Sequence, residues 1–176
     1  MTVRRSWIDP LFLFVAFAIY SSDQFTKVAI IRAIGPDADR NSIELVGNWV
    51  RFTYATNTGA AFGIFPGQPW LFTIIAMIAI PILWYFNSTI SPRTLLTRIC
   101  LGALLGGALG NLTDRIRLGY VVDFVDVGVD SLRWPAFNIA DSSFVVGIFL
   151  LAVFVFFRGD DMDVAPNESS KGQAHA

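Results

Sequence analysis

The chain has 176 residues, 54% hydrophobic and 15% charged, with sixteen Phe and a formal net charge of −1. Four apolar stretches approach the length needed to cross a bilayer, which predicts an integral membrane protein and leaves no segment to build a large soluble core. The near-neutral charge gives no basis for nucleic-acid binding. The single Cys100 rules out an internal disulfide, and with His175 the only histidine, a zinc site built on His or Cys is not expected.

Residues 10–31 form the first predicted span. Arg4, Arg5 and the apolar run from Leu11 to Ile19 mimic a signal peptide. Asp9 interrupts the basic region, however, and the helical pattern continues past Ala16 and Ala18, so a retained membrane helix is favoured. Pro10 suits its first turn. Asp23 and Lys27 sit near the far end, four residues apart on one face. The bland reading is a self-neutralising pair that snorkels to the interface. The functional reading, of equal weight, is a pair that binds substrate or orients another polar group.

Residues 32–68 are polar and mixed. Gly35-Pro36-Asp37 signals a turn. Ile43–Val46 and Trp49–Thr56 predict two strands joined at Gly47-Asn48. The loop Asn57-Thr58-Gly59-Ala60-Ala61-Phe62-Gly63 permits tight turns and close approach to a ligand, and is a weak signal alone. Residues 70–86 form an uncharged second span with Pro81 expected to kink it, and Trp70, Trp84 and Tyr85 placed for the two interfaces. The third span covers 99–113. Its Gly102, Gly106 and Gly110 make a small-residue stripe for close helix packing, and Gly106-Gly107 leaves space for something threaded between helices.

Asn111, Asp114 and Arg115 follow on the last turns of this span. Within the polar loop 116–137, the alternation from Tyr120 to Val127 predicts a strand with Asp123 and Asp126 on opposite faces, so only one of them can face a shared site. The fourth span, 138–157, opens with Asn138, Ala140 and Asp141, and the helix dipole favours an acid in that first turn. The bland reading of Asp141 is capping alone. Residues 1–158 therefore form one membrane domain, and 159–176 a disordered polar tail. Arg and Lys divide six against six between the two sides, and the basic start with the short Arg93/Arg98 loop leans towards termini inside.

Carboxylates this close to membrane-length segments are costly and need a reason to be there. Two of them held close share one proton. The charged one draws a proton from water, which attacks a peptide carbonyl, while the protonated one serves the carbonyl oxygen and the leaving amine. Asp123 on a loop and Asp141 at a helix start can converge for this. Residue chemistry alone does not choose Asp123 over Asp114, read as a structural pair with Arg115, or over Asp126, read with Asp130 as solvated.

Asp23-Gln24-Phe25-Thr26-Lys27 resembles the first motif of lipoprotein signal peptidase (signal peptidase II), and Asn57 to Gly63 resembles its loop motif. Gly110-Asn111-Leu112-Thr113-Asp114-Arg115, Val121-Val122-Asp123-Phe124 and Phe137-Asn138-Ile139-Ala140-Asp141 are similar to its third, fourth and fifth motifs, in the family's order. The resemblance implies four membrane helices with a small extracytoplasmic β-hairpin cradle, and a cofactor-free aspartyl endopeptidase of the bacterial inner membrane. Such an enzyme cuts the signal peptide from a diacylglyceryl-modified prolipoprotein just before the lipidated cysteine. Asp123 and Asp141 carry over as the catalytic dyad. Asn57, Gly59, Asn111, Asp114, Arg115, Asn138 and Ala140 carry over as residues shaping the site or contacting substrate, with Asp23 and Lys27 supporting. Both termini are then cytoplasmic and the site lies near the outer surface. The expected partners are the lipidated substrate and membrane lipids, with the chain acting as a monomer. The Gly59 loop becomes a candidate flap, and the signal helix is expected to pack on the small residues of the third span.

Three rivals remain at this level. A transporter using the same acids lacks an inverted repeat or paired broken helices. Another protease class lacks His-Glu-x-x-His and Gly-x-Ser-x-Gly, leaving only Ser22 with Lys27. A non-catalytic assembly subunit would make every carboxylate structural.

Overall fold

The structure is a computed structural model that describes residues 9–36, 42–59, 67–89 and 94–159. The tail from residue 160, Ala60 to Gly63 of the glycine loop, and Arg4, Arg5 and Arg93 lie outside the described residues. Four helices and four strands alternate as α1 (Pro10–Ile34), β1 (Ser42–Val46), β2 (Val50–Asn57), α2 (Pro69–Thr89), α3 (Leu95–Leu118), β3 (Val121–Val129), β4 (Leu132–Arg133) and α4 (Ile139–Gly159).

The start of α1 and both ends of α3 have local causes. Asp9 caps α1 by accepting from Leu11 N at 3.1 Å and Phe12 N at 3.2 Å, with Pro10 in the first turn as expected. The same carboxylate takes two bonds from Arg98 of α3, at 2.7 and 2.6 Å. That guanidinium holds the Asp9 carboxyl below its usual range. The acid that interrupts the basic start thus ties α1 to the head of α3. Thr94 caps α3, and Gly119 ends it in the left-handed region at φ 79°.

α3 is longer than expected at both ends, starting at Leu95 and ending at Leu118, so Asn111, Asp114 and Arg115 lie within the helix. Helix α2 continues through Pro81 to Thr89. Trp84, half-buried, packs its ring edge-on to Phe12 at 5.8 Å.

α3 is the central helix. It is 61% buried along its apolar window, against 17% for α4 and 0% for α2. Phe12 and Ala16 of α1 pack against Leu101, Leu104 and Leu105, and Leu83, Trp84 and Phe144 close over them. The glycine stripe is filled by α1: a Cβ at Gly102 would meet Phe12 O at 2.7 Å, and one at Gly106 would meet Ala16 O at 2.5 Å. A Cβ at Gly107 would instead strike Ser143 Oγ and Ala140 O of α4. The expectation that a signal helix packs on this stripe is therefore corrected, since the chain's own helices occupy it.

Three described helices are long and apolar enough to cross a membrane, namely Pro69–Thr89, Leu95–Leu118 and Ile139–Phe157. Helix α1 was expected as a fourth but does not stand among them, because Ser21, Ser22, Asp23, Gln24, Thr26 and Lys27 interrupt its apolar run.

The strands form one antiparallel meander in the order β1-β2-β3-β4. The expected hairpin is present, with Gly47 at φ 49° in its turn. Open sheet edges leave unpaired backbone groups, so this sheet cannot lie in the hydrocarbon layer. A bulge shapes it further: Phe52 pairs with Val125 and Ala55 with Asp123, so Thr53 and Tyr54 of β2 oppose Phe124 alone. The extra residue breaks the two-residue alternation of β2. Arg51 can therefore reach Asp126 while Asn57 reaches Asp123, although the two acids fall on opposite faces of β3. A second core joins the sheet to the end of α1, with Phe124 against Ile30, Ile34 and Phe52.

Candidate active site

Asp123 and Asp141 arrive from different elements, and asparagines join them. Asn138 precedes α4 and donates from Nδ2 to Asp123 Oδ1 at 2.7 Å. Its Oδ1 accepts from the Asp141 backbone N at 2.8 Å, and its own N donates to Asp141 Oδ2 at 3.4 Å. This reciprocal arrangement is a capping box, so the capping reading of Asp141 holds in part. The other oxygen, Asp141 Oδ1, accepts from Asn111 Nδ2 at 2.8 Å. Asp123 Oδ2 accepts from Asn57 Nδ2 at 3.0 Å. Asp123 is buried at 3% exposure. Burial, and then the neighbouring Asp141 charge, push its carboxyl up to about 7, against the pull of the Asn57, Lys27 and Asn138 contacts.

Asp126 takes no part in this cluster. It accepts from Arg51 Nε at 2.5 Å and Arg133 Nε at 2.6 Å. Burial raises its carboxyl, but the two arginines outweigh that and hold it below the usual range. It is therefore a buried ion-paired acid, which corrects the solvated reading. Asp130 sits in the β3–β4 turn at φ 48° and accepts from Asn48.

Behind the two acids lies a buried polar cluster. Asp23, at 0% exposure, and Lys27, at 2%, form an ion pair of 2.9 Å, and Lys27 makes a second of 2.9 Å with Asp114. The snorkelling reading of Asp23 and Lys27 is overturned. Asp114 pairs with Lys27, not with Arg115 as expected from adjacency, because neighbours on a helix point about 100° apart. It also accepts from Val122 N at 3.1 Å, fixing the start of β3 beside the site. Asp23 Oδ1 accepts from Ala140 N at 3.0 Å, so an acid of α1 caps α4 from outside. Gly110 makes room for it, since a Cβ there would stand 2.5 Å from Asp23 Oδ2.

Sequence reading passed over Gln24 as a site residue. Its Nε2 reaches Gly110 O at 3.2 Å and Asp114 Oδ1 at 3.0 Å. The signal available was its place between Asp23 and Lys27 on a buried helix face.

Arg115 turns the other way. Its Nη2 donates to Gly59 O at 3.0 Å, and Gly59 N donates to Asn57 Oδ1 at 2.9 Å, so the start of the loop is held from both sides. The guanidinium lies over Phe72 of α2 at 5.6 Å from the ring centroid. Its buried Nε has no partner among the described residues. Asp141, Asn111 and Arg115 together line one end of a cavity of about 520 Å³ between α2, α3 and α4. The rest of its wall is largely apolar, including Phe72, Ala76, Gly107 and Val145. Asp141 opens on this apolar channel, with Asp123 buried behind it and joined to it through Asn138, and such a pair can perform acid–base hydrolysis on a substrate with an apolar body.

A family model described as signal peptidase (SPase) II matches residues 15–157. A lipoprotein signal peptidase of Halothermothrix orenii is 38% identical over 144 residues, covering 81% of this chain and 92% of its own. That of Syntrophomonas wolfei is 41% identical over 139 residues, covering 78% and 87%. Among solved structures, a bacterial membrane enzyme determined by the in meso method at 2.3 Å aligns with a TM-score of 0.76 at 28% identity, over 99% of this chain and 100% of its own.

Proposed function

The chain belongs to the signal peptidase II family and is a membrane protease that removes signal peptides from prolipoproteins, and from this premise we propose that Asp123 and Asp141 are its catalytic dyad. The observation that carries the reading is Asn138, whose amide donates to the Asp123 carboxylate and accepts from the backbone N of Asp141, the acid that lines the apolar cavity.

The pair carries one proton. The ionised carboxylate takes a proton from water as its oxygen bonds to the scissile carbonyl carbon. The protonated carboxyl gives its proton to the carbonyl oxygen, forming a neutral tetrahedral diol. The first carboxyl then protonates the amide nitrogen while the second recovers the diol proton. The C–N bond breaks, a new carboxyl and a free amine leave, and the dyad again holds one proton. No metal or other cofactor enters this route. Asn57, Asn111 and Asn138 fix the acids. Lys27 bonds Asn111, and Asp23 and Asp114 fix the starts of α4 and β3. Arg115 lines the cavity beside Asp141 and holds the loop start at Gly59, while buried Ala140 ties the start of α4 to Asp23.

The substrate is a precursor whose cysteine already carries a diacylglyceryl group, cut just before that cysteine. Its acyl chains fit the apolar cavity, which opens among helices, and its peptide meets the acids. Residues 1–158 act as one domain and as a monomer. Helix α1 spans the bilayer as a fourth helix, its charged residues Asp23 and Lys27 turned inward and paired. The chain sits in the bacterial inner membrane with both termini cytoplasmic. The sheet, excluded from hydrocarbon, then lies outside, with the site near the outer leaflet. Cleavage of a diacylglyceryl-modified precursor, compared with the same precursor left unmodified, tests the substrate class. The modified form is expected to be cut with or without a chelator and the unmodified form left intact; equal cleavage of both would sink the lipid assignment.

A further inference from the structure

Lys27 has three ammonium protons and three acceptors, each at 2.9 Å: Asp23 Oδ2, Asp114 Oδ2 and Asn111 Oδ1. Two of these neutralise charge. The third does not, because Asn111 is neutral. An ammonium can only donate and an ionised carboxylate can only accept. The Asn111 amide stands between the two, with Oδ1 towards Lys27 and Nδ2 towards Asp141 Oδ1 at 2.8 Å. Turning it over would set an NH₂ against an ammonium and a carbonyl oxygen against a carboxylate. The flipped state loses two good contacts and gains two repulsive ones.

We infer that Lys27 is a positioning residue for the cleavage reaction: it locks the orientation of the Asn111 amide, which in turn holds Asp141. This rests on the dyad reading above. The second contact to the same oxygen, from Asn138 Nδ2 at 3.2 Å, strengthens the lock, because that nitrogen also bonds Asp123. The buried cation of α1 thereby sets both acids through neutral amides, without touching either. A lysine present only to balance Asp23 and Asp114 would need no bond to Asn111.

The test uses the full chain in nanodiscs with a diacylglyceryl-modified precursor. It compares wild type with Lys27→Met, Asn111→Leu, the two combined, Asp141→Asn, and the charge-neutral triple variant Asp23→Asn/Lys27→Met/Asp114→Asn. Lys27→Met is expected to lower kcat roughly 10- to 100-fold with KM unchanged, the range for loss of a supporting hydrogen bond. In the Asn111→Leu background the same change is expected to add little, because the path is already cut. The triple variant leaves no unpaired charge, so it is expected to fold and to keep the kcat defect. Wild-type kcat in the triple variant would mean that Lys27 only balances charge, and would overturn the inference. So would Lys27 and Asn111 losses that multiply, and that comparison decides the matter if the triple variant does not fold, because Asp23 and Asp114 also hold the starts of α4 and β3. A live Asp141→Asn would defeat the dyad itself, whereas a dead Asp141→Asn beside unimpaired Lys27 variants would defeat the relay alone.

Discussion

Asp123 and Asp126 stand three residues apart on one strand and are opposite electrostatic cases. Asp126 meets two guanidinium groups and stays charged. Asp123 meets burial, a second acid and neutral amides, and is pushed up to about 7. If the dyad works with one proton, kcat should fall as pH rises through about 7, where Asp123 gives its proton up. Stability has the same sign. The folded chain holds the Asp123 proton more tightly than the unfolded chain, so this contribution is complete at pH below the ordinary value of 3.8 and is lost as pH rises towards and through about 7. Asp123→Asn should therefore unfold at a higher temperature than wild type at alkaline pH, and the gap should close on acidification. A gap that widens with acid in a thermal scan would contradict the burial argument. Asp126→Asn should cut normally but lose about 1–3 kcal/mol in denaturant titration, because Arg51 and Arg133 lose their shared acceptor. Residue chemistry in the sequence showed that only one of the two acids could face the site. It did not show that Arg51, seventy-five residues away, would claim Asp126, because the bulge between Phe52 and Ala55 decides that pairing.

Among the elements, α3 organises the rest by having glycine where neighbours come close. Apolar runs and glycine spacing made the helices and the stripe legible, as the Gly47 turn did for the hairpin. They did not reveal which helix fills the stripe, since any small-residue face accepts any partner. Backbone contacts at Gly102 and Gly106 assign it to α1. Gly106→Ala should therefore displace α1 and lower stability by about 1–3 kcal/mol. Because α1 carries Asp23, which caps α4 at Ala140, activity should drop with it. Gly147→Ala meets only Leu104 side-chain atoms at 3.1 Å and Cys100 O at 3.3 Å, and should be milder. Equal thermal shifts for the two would remove the case for close backbone packing at Gly106. The same limit explains Asp23 and Lys27: spacing made them a pair, but only the fold supplies Asp114, Asn111 and Ala140 as partners.

For the whole molecule, the acids gather where the sheet, the end of α1 and the start of α4 meet, and the apolar cavity leads away between α2, α3 and α4. The sequence motifs supplied the acids and the asparagines. A lipid-bearing substrate implied a groove between helices, and Gly106-Gly107 marked space there, but the rest of the wall, drawn from three helices and the segment 134–137, was not legible. Nor did the motifs show the clamp of Asp9 on Arg98, which closes the opposite end of the bundle. The central claim is that Asp123 and Asp141 work together as the proton-transferring pair. Its most direct measurement is the cleavage rate of a diacylglyceryl-modified prolipoprotein in nanodiscs by wild type, Asp123→Asn, Asp141→Asn and Asp126→Asn. Asparagine keeps the shape and most of the hydrogen bonds but cannot shuttle a proton. The account predicts that the first two variants fold and cut nothing detectable, while Asp126→Asn cuts at the wild-type rate; measurable turnover by folded Asp123→Asn or Asp141→Asn would contradict it.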